Sequence, residues 1–291
     1  MSSKKSSPVW LDVLITALGP MIWGSTYIVT TELLPPDVPF TAALIRTLPP
    51  GILLILYSRH LPQPGQWLQV LILAILNIGI FQSLLFIAAY RLPGGLAAIV
   101  GAIQPLLVIG LAWMVDGRRP VQMAVWGSIL GIAGMGGLLL SPNAQWDLVG
   151  AIAAFVGTSS MAVGTYLTQR WRPNLPIIAF TGWQLALGGL ILIPTTLLLD
   201  PPLPDLTWIN IAGFAYLSFF GAILAYGLWF RGVARLSPVA ASSLGLLSPV
   251  MAVVMGWIIL DQRLTGLSLV GMITVLGSIL AVQWAMSKNR R

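Results

Sequence analysis

Residues 91–119 read RLPGGLAAIVGAIQPLLVIGLAWMVDGRR, and residues 235–263 read RLSPVAASSLGLLSPVMAVVMGWIILDQR. Shifted by 144, the two stretches share Arg91/Arg235, Leu92/Leu236, Ala97/Ala241, Gly101/Gly245, Pro105/Pro249, Trp113/Trp257 and Arg119/Arg263. The register reaches back to Leu84/Leu228 and Phe86/Phe230 and forward to Gly127/Gly271 without a gap. The chain is therefore built on an internal repeat. Each copy holds Gly-x-x-x-Pro inside an apolar run, Gly101 to Pro105 and Gly245 to Pro249. Proline has no N–H, so the carbonyl of the glycine four residues earlier loses its helical partner. In lipid, such an acceptor must face protein or a watery cavity. These four residues are expected to form two symmetry-related hinges that line one central cavity.

The rest of the composition fits that setting. Of 291 residues, 57% are hydrophobic and 8% charged, with a mean hydropathy of +0.90. A soluble domain carries about 25% charged residues, so the chain reads as a polytopic membrane protein. It has no cysteine, which excludes disulfides, zinc-thiolate sites and thiol catalysis. The net charge of +7 does not point to nucleic acid, because the basic residues sit at the ends of apolar runs, where they act as topology signals. Lys4 and Lys5 ahead of an apolar run mimic a signal peptide. The run from Trp10 is too long for one and lacks a small-x-small cleavage site, so it is expected to stay as a first helix.

A membrane span needs roughly 20 apolar residues. Pro35-Pro36, Pro62, Pro64, Pro93-Gly94, Pro120, Pro142, Pro173, Pro201-Pro202 and Pro238 punctuate the chain into ten such runs. With the N-terminus inside, the cytoplasmic side gathers Lys4, Lys5, Arg59, Arg118, Arg119, Arg170, Arg172, Arg231, Arg235, Lys288, Arg290 and Arg291. Only Arg91 and Arg263 fall outside, together with Glu32, Asp37, Asp147, Asp200, Asp205 and Asp261. That asymmetry places both termini in the cytoplasm. Pro39, Ala42, Leu48, Gly51 and Leu53 also pair with Pro176, Ala179, Leu185, Gly188 and Leu190 at an offset of 137. The expected fold is all-α, with ten transmembrane helices in two five-helix repeats, residues 9–141 and 146–287. Five is odd, so the repeats cross in opposite senses. In such inverted repeats the substrate site lies between the halves near mid-membrane.

The chain resembles the ten-helix EamA-domain exporters of the drug/metabolite transporter superfamily. The resemblance covers essentially the whole chain. It rests on Trp23-Gly24, Arg46, the proline-bearing fourth and ninth spans, the segments Asp116 to Arg119 and Asp261 to Arg263, and Gln184. It implies export of small metabolites, often amino acids, from the bacterial cytoplasm across the inner membrane. It does not choose the solute.

Arg46 lies about eight residues, hence roughly 12 Å, into the second span. A charge there costs about 2.5–3.5 kcal/mol on insertion scales and needs a partner. Pro49 and Pro50 free the carbonyls of Ile45 and Arg46. Either Arg46 docks a substrate carboxylate, or it ties a kinked helix to its neighbours. Asn77, Gln82, Gln104, Gln184 and Ser248 fall at mid-depth, where amides and hydroxyls line a pocket or glue helices together. Gln104 and Ser248 precede the two repeated prolines and are expected at equivalent cavity positions. Trp23, Tyr27, Trp183, Tyr216 and Tyr226 are deep enough to shape a pocket or to pack the core. Trp67, Tyr90, Trp146, Trp208 and Trp284 read as interfacial anchors. Gly127, Gly131 and Gly134 form a small-residue face for internal packing or for a homodimer.

No Asp, Glu or His falls near the centre of a span, and the single His60 is in a loop. A dedicated intramembrane proton carrier is therefore not visible, and facilitation or exchange fits better. No nucleotide-binding loop, metal-ligand cluster or nucleophile–base set is present. No catalytic residue, metal or cofactor is expected, and a membrane-embedded enzyme is the weakest reading. An exporter of hydrophobic or cationic drug-like compounds is the main alternative to the metabolite exporter. It lacks a buried acid to attract a cation, for which an aromatic box only partly substitutes.

Overall fold

Ten helices long and apolar enough to cross a membrane make up the computed structural model, which describes residues 9–92, 96–139, 147–261 and 266–288. They are α1 (Val9–Leu33), α2 (Pro39–Ser58), α3 (67–91), α4 (96–116), α5 (Gln122–Leu139), α6 (Leu148–Trp171), α7 (Ile177–Leu199), α8 (Trp208–Arg235), α9 (Pro238–Ile259) and α10 (Gly266–Lys288). Lys4, Lys5, Pro93, Gly94, Pro142, Trp146, Arg263, Arg290 and Arg291 lie outside the described residues.

Local chemistry sets the helix ends. Pro39 opens α2, and Pro238 opens α9 behind Ser237, whose hydroxyl accepts from the Ala240 N–H at 3.2 Å. Asp147 caps α6 through the Gly150 N–H at 2.6 Å, and Thr207 with Asn210 forms a capping box on α8. Gly117 ends α4 at φ 66°, in the left-handed region that glycine tolerates.

The repeated prolines break their spans. α4 is interrupted between Gly101 and Gln104, and α9 between Leu244 and Leu247. The sequence suggests an open glycine carbonyl at each break. In the second copy the turn tightens instead, and Gly245 O accepts from the Ser248 N–H at 3.1 Å. The backbone thus satisfies itself with a shorter-range bond. At Pro49 the freed carbonyl finds a partner from another helix, because the Ser218 hydroxyl donates to Ile45 O at 3.1 Å.

Two further irregularities carry no proline. α3 widens into a π-helical segment at Ile75–Ile80, and α8 does the same at Leu217–Leu224. Adding 144 to 75–80 gives 219–224, inside the second segment. Each wide turn is capped by a helix of the other half. The Trp23 indole N–H of α1 donates to Gly221 O at 3.0 Å, and the Ser160 hydroxyl of α6 donates to Leu76 O at 2.9 Å.

Helix pairing follows the repeat. α3 lies on α6 as α8 lies on α1, and α4 lies on α6 as α9 lies on α1. The pairs α2/α7 and α5/α10 join repeat-equivalent helices directly. Both run antiparallel: Gly51 meets Ala186 while Gly182 meets Leu54, and Gly127 meets Val282 while Gly134 meets Val275. Opposite directions for equivalent helices are what an inverted repeat requires. The glycine face of α5 is covered by α10, so it serves internal packing and is closed to a dimer partner.

Candidate functional site

Between the halves lies a cavity of about 660 Å³, within the range of small-molecule sites. α1, α2, α3, α4, α6, α8 and α9 build its wall, and Leu139 closes it from the end of α5. α7 supplies no wall residue because its small residues seat it behind α2 and α3, with Gly189 against Leu48 and Gly188 against Ile78.

Of the residues singled out from the sequence, Trp23, Arg46, Gln82, Gln104 and Ser248 line the cavity, as do Gly101, Gly245 and Pro249 at the breaks. The two breaks face each other, and a Cβ on Gly245 would stand 3.7 Å from Gln104 Oε1. Pro105 is buried beside the break without lining the wall. The side chain of Tyr27 lies outside the described residues.

Four expected site residues are placed elsewhere. Asn77, in the π-helical turn of α3, points towards α6 and α7. Its Nδ2 donates to Gln184 Oε1 at 3.2 Å and to the Thr168 hydroxyl at 3.3 Å. Asn77 and Gln184 are both fully buried, and their contact fastens three helices together. Trp183 sits at the bundle end, its indole N–H on His60 O at 3.0 Å and its ring edge-on to Trp67 at 4.9 Å. Tyr216 packs on Phe220 and shares a 2.7 Å hydrogen bond with Ser25.

The wall also holds Thr26, Tyr226 and Trp229. Trp229 was the residue hidden in the sequence; its signal is the i, i+3 spacing from Tyr226, which puts both on one face. Trp23 lies 4.8 Å from Tyr226 and 5.5 Å from Trp229, centroid to centroid, so three aromatic rings form the apolar side of the chamber. Arg46 faces them, its Cζ 5.9 Å from the Tyr226 ring, within cation–π range.

The polar side is rich in donors. Arg46 is 7% exposed, and its Nε has no hydrogen-bond partner. The same holds for Gln104 Nε2, Trp229 Nε1, Thr26 Oγ1 and the acceptor Gln82 Oε1. Among the described residues, no Asp or Glu lines the cavity. Buried polar atoms in native proteins are normally paired. Unpaired buried atoms also occur away from the chamber, as at Asn77 Oδ1 and Gln184 Nε2, but the five on its wall share one space, which suits a ligand bearing a negative or acceptor-rich group.

The cavity extends to the bundle end where α1 meets α2, at Leu34, Pro35, Val38 and Pro39. Towards the other end it is closed. Phe180 stands edge-on to Phe230 at 5.1 Å, packed with Val13, Val233 and Leu236. Beyond that plug, Asp12 of α1 binds Arg231 at 2.7 Å and Arg235 at 3.1 Å, both from α8. Asp116 pairs with Arg170 at the same end.

The model of the EamA-like transporter family matches this chain twice, over residues 10–140 and 148–284. The chain belongs to that family. As an EamA transporter it is a member of the drug/metabolite transporter superfamily, and it is a membrane transporter, not an enzyme. It is 44% identical over 275 residues to "Protein PecM" of Dickeya dadantii, covering 94% of this chain and 92% of that protein. It is 24% identical over 279 residues to the "Probable amino-acid metabolite efflux pump" of Salmonella typhimurium, covering 92% and 93%. A solved crystal structure of a protein matches this EamA transporter with a TM-score of 0.78 over 97% of this chain and 99% of that one. The identity is 17%, so the match speaks for the fold alone.

Proposed function

We propose that this EamA transporter exports amino acids or similar small metabolites from the bacterial cytoplasm by alternating access, through the inner membrane with both termini inside. The observation that carries the reading is Arg46, a buried cation with an unpaired Nε on the wall of a chamber that, among the described residues, holds no acid. Gln104 and Trp229 add uncharged donors beside it. A carboxylate answers that set, whereas a cationic drug would meet Arg46 and no counter-charge. The Salmonella relative named for amino-acid efflux agrees with it.

The proposed sidedness follows from charge. Arg170, Arg231 and Arg235 cluster at the closed end, and Asp147 and Asp200 at the other. The Lys/Arg-rich end belongs in the cytoplasm, so the cavity opens outwards in this state.

Counterflow in liposomes tests the function. Labelled neutral and aromatic amino acids should exchange, with rates indifferent to an imposed pH gradient. Absence of exchange across the panel sinks the assignment.

The closed end gives a second expectation. Asp12→Asn removes the carboxylate that Arg231 and Arg235 share, and so favours opening on the cytoplasmic side. The chain lacks cysteine, so a single Val233→Cys in the plug reports directly. Maleimide labelling from the cytoplasmic face should be severalfold faster in the Asp12→Asn background; equal rates would mean that Asp12 does not hold the gate.

A further inference from the structure

Gln82 of α3 and Tyr226 of α8 are equivalent positions of the repeat, 144 apart, and their side chains meet. Gln82 Nε2 donates to the Tyr226 hydroxyl at 2.6 Å. Equivalent residues that touch lie where the two halves meet. Two identical amides at such a point would satisfy each other. Glutamine against tyrosine does not, because the amide brings both a donor and an acceptor and the hydroxyl engages only the donor. Gln82 Oε1 is left without a partner on a side chain only 1% exposed, and Gln82 lines the cavity. Arg46 stands beside the same tyrosine, its Cζ 5.9 Å from the ring centroid.

The chamber therefore carries a cation and an unpaired neutral acceptor, held next to each other by one aromatic ring. A ligand that bears a carboxylate and an ammonium on the same carbon fits both. We propose that Gln82 is the specificity-determining residue that accepts the substrate's α-ammonium, so that the site selects α-amino acids over the corresponding acids without the amine. This rests on the reading of Arg46 as the carboxylate dock. An ammonium donating to the amide oxygen leaves no buried cation without an acceptor. A deaminated acid leaves Gln82 Oε1 unpaired, which is worth on the order of a ten- to hundredfold in affinity. Tyr226 acts through Gln82, because its hydroxyl fixes which end of the amide is free.

Competition in proteoliposomes tests this. Labelled leucine counterflow is competed with leucine and with 4-methylpentanoate, which has the same carbon body without the amine. Wild type should prefer leucine by about tenfold or more. Gln82→Leu, similar in volume and without the acceptor, should bring the ratio towards one while 4-methylpentanoate still competes. Tyr226→Phe should also lower the ratio, by freeing the amide to turn, and it provides the test should Gln82→Leu not fold. Equal competition in wild type overturns the role of Gln82 and leaves the transporter reading standing. A preference for the deaminated acid overturns it too, since it means that the hydroxyl donates to Oε1 and the free group is Nε2. An unchanged ratio in both variants overturns the residue assignment. If wild type moves no leucine, the same competition is run with an amino acid of the panel that does exchange and its deaminated counterpart; if none exchanges, the amino-acid reading falls and this inference with it.

Discussion

Arg46→Ala is expected to lower counterflow of a carboxylate-bearing substrate by on the order of a hundredfold and still to yield folded, monodisperse protein in detergent. The magnitudes separate the two roles open to this residue. As a structural tie, Arg46 contributes a cation–π contact with Tyr226, about 0.5–2 kcal/mol. Against that stands the cost of its charge inside the membrane, about 2.5–3.5 kcal/mol. The gain and the cost are of similar size, so removal of the side chain is not expected to unfold the protein. The kink that Pro49 makes does not depend on Arg46 either, since Ser218 caps the freed Ile45 carbonyl. A docked carboxylate that loses its guanidinium, by contrast, forfeits about 2–5 kcal/mol. Arg46→Lys keeps the charge without the planar fork and should fall between. Aggregated Arg46→Ala protein would return the residue to a structural role, and unchanged counterflow would remove it from the site.

Gly271→Leu should abolish recovery of folded protein, whereas Gly277→Leu on the same helix should be neutral. A Cβ on Gly271 would stand 2.3 Å from the backbone nitrogen of Leu138 and 2.6 Å from Gly134 O. Those atoms belong to the backbone of α5 and cannot swing aside, so the helices would have to part along their whole contact. Overpacking typically costs 1–3 kcal/mol where side chains can adjust; here only backbone can give. Nothing lies within 4 Å of a Cβ on Gly277, which is exposed on the lipid side, where leucine is welcome. The comparison is read by size-exclusion profile and yield at matched expression. Equal behaviour of the two variants would show that the α5/α10 contact tolerates separation.

Much of this was legible in the sequence because it depends on residues that act through the backbone. Prolines between apolar runs marked the joints, and the repeated Gly-x-x-x-Pro located the breaks of α4 and α9. The glycines of α5 announced a close neighbour. The faces of α3 and α8 were not legible. Ile75–Ile80 and Leu217–Leu224 are ordinary apolar runs, and nothing in them signals a π-helical turn. One extra residue in a helix of 3.6 per turn rotates all that follows by about 100°. Depth along a span was readable but direction was not, so Asn77 and Tyr216, expected at the wall from their depth, point away from it into contacts with other helices. Trp183 erred for another reason. Its depth was judged from its own helix, whereas its long indole reaches back to the His60 carbonyl at the bundle end. Gln184 followed α7 out of the wall, a consequence of helix packing that no single span records.

The crossed caps on the two wide turns bear on how the molecule moves. Trp23, in the first half, holds the soft turn of α8, and Ser160, in the second, holds that of α3. Neither half owns both ends of its own latch. When one half slides against the other, each wide turn must either travel with its foreign donor or release it, and a released buried carbonyl costs about 1–3 kcal/mol. In the alternating access proposed above, the latches would act as a clutch between the halves, disfavouring intermediate positions. The two latches are not equivalent to cargo, because Trp23 stands on the cavity wall and Ser160 does not. A solute in the chamber would then press on one side of that clutch only.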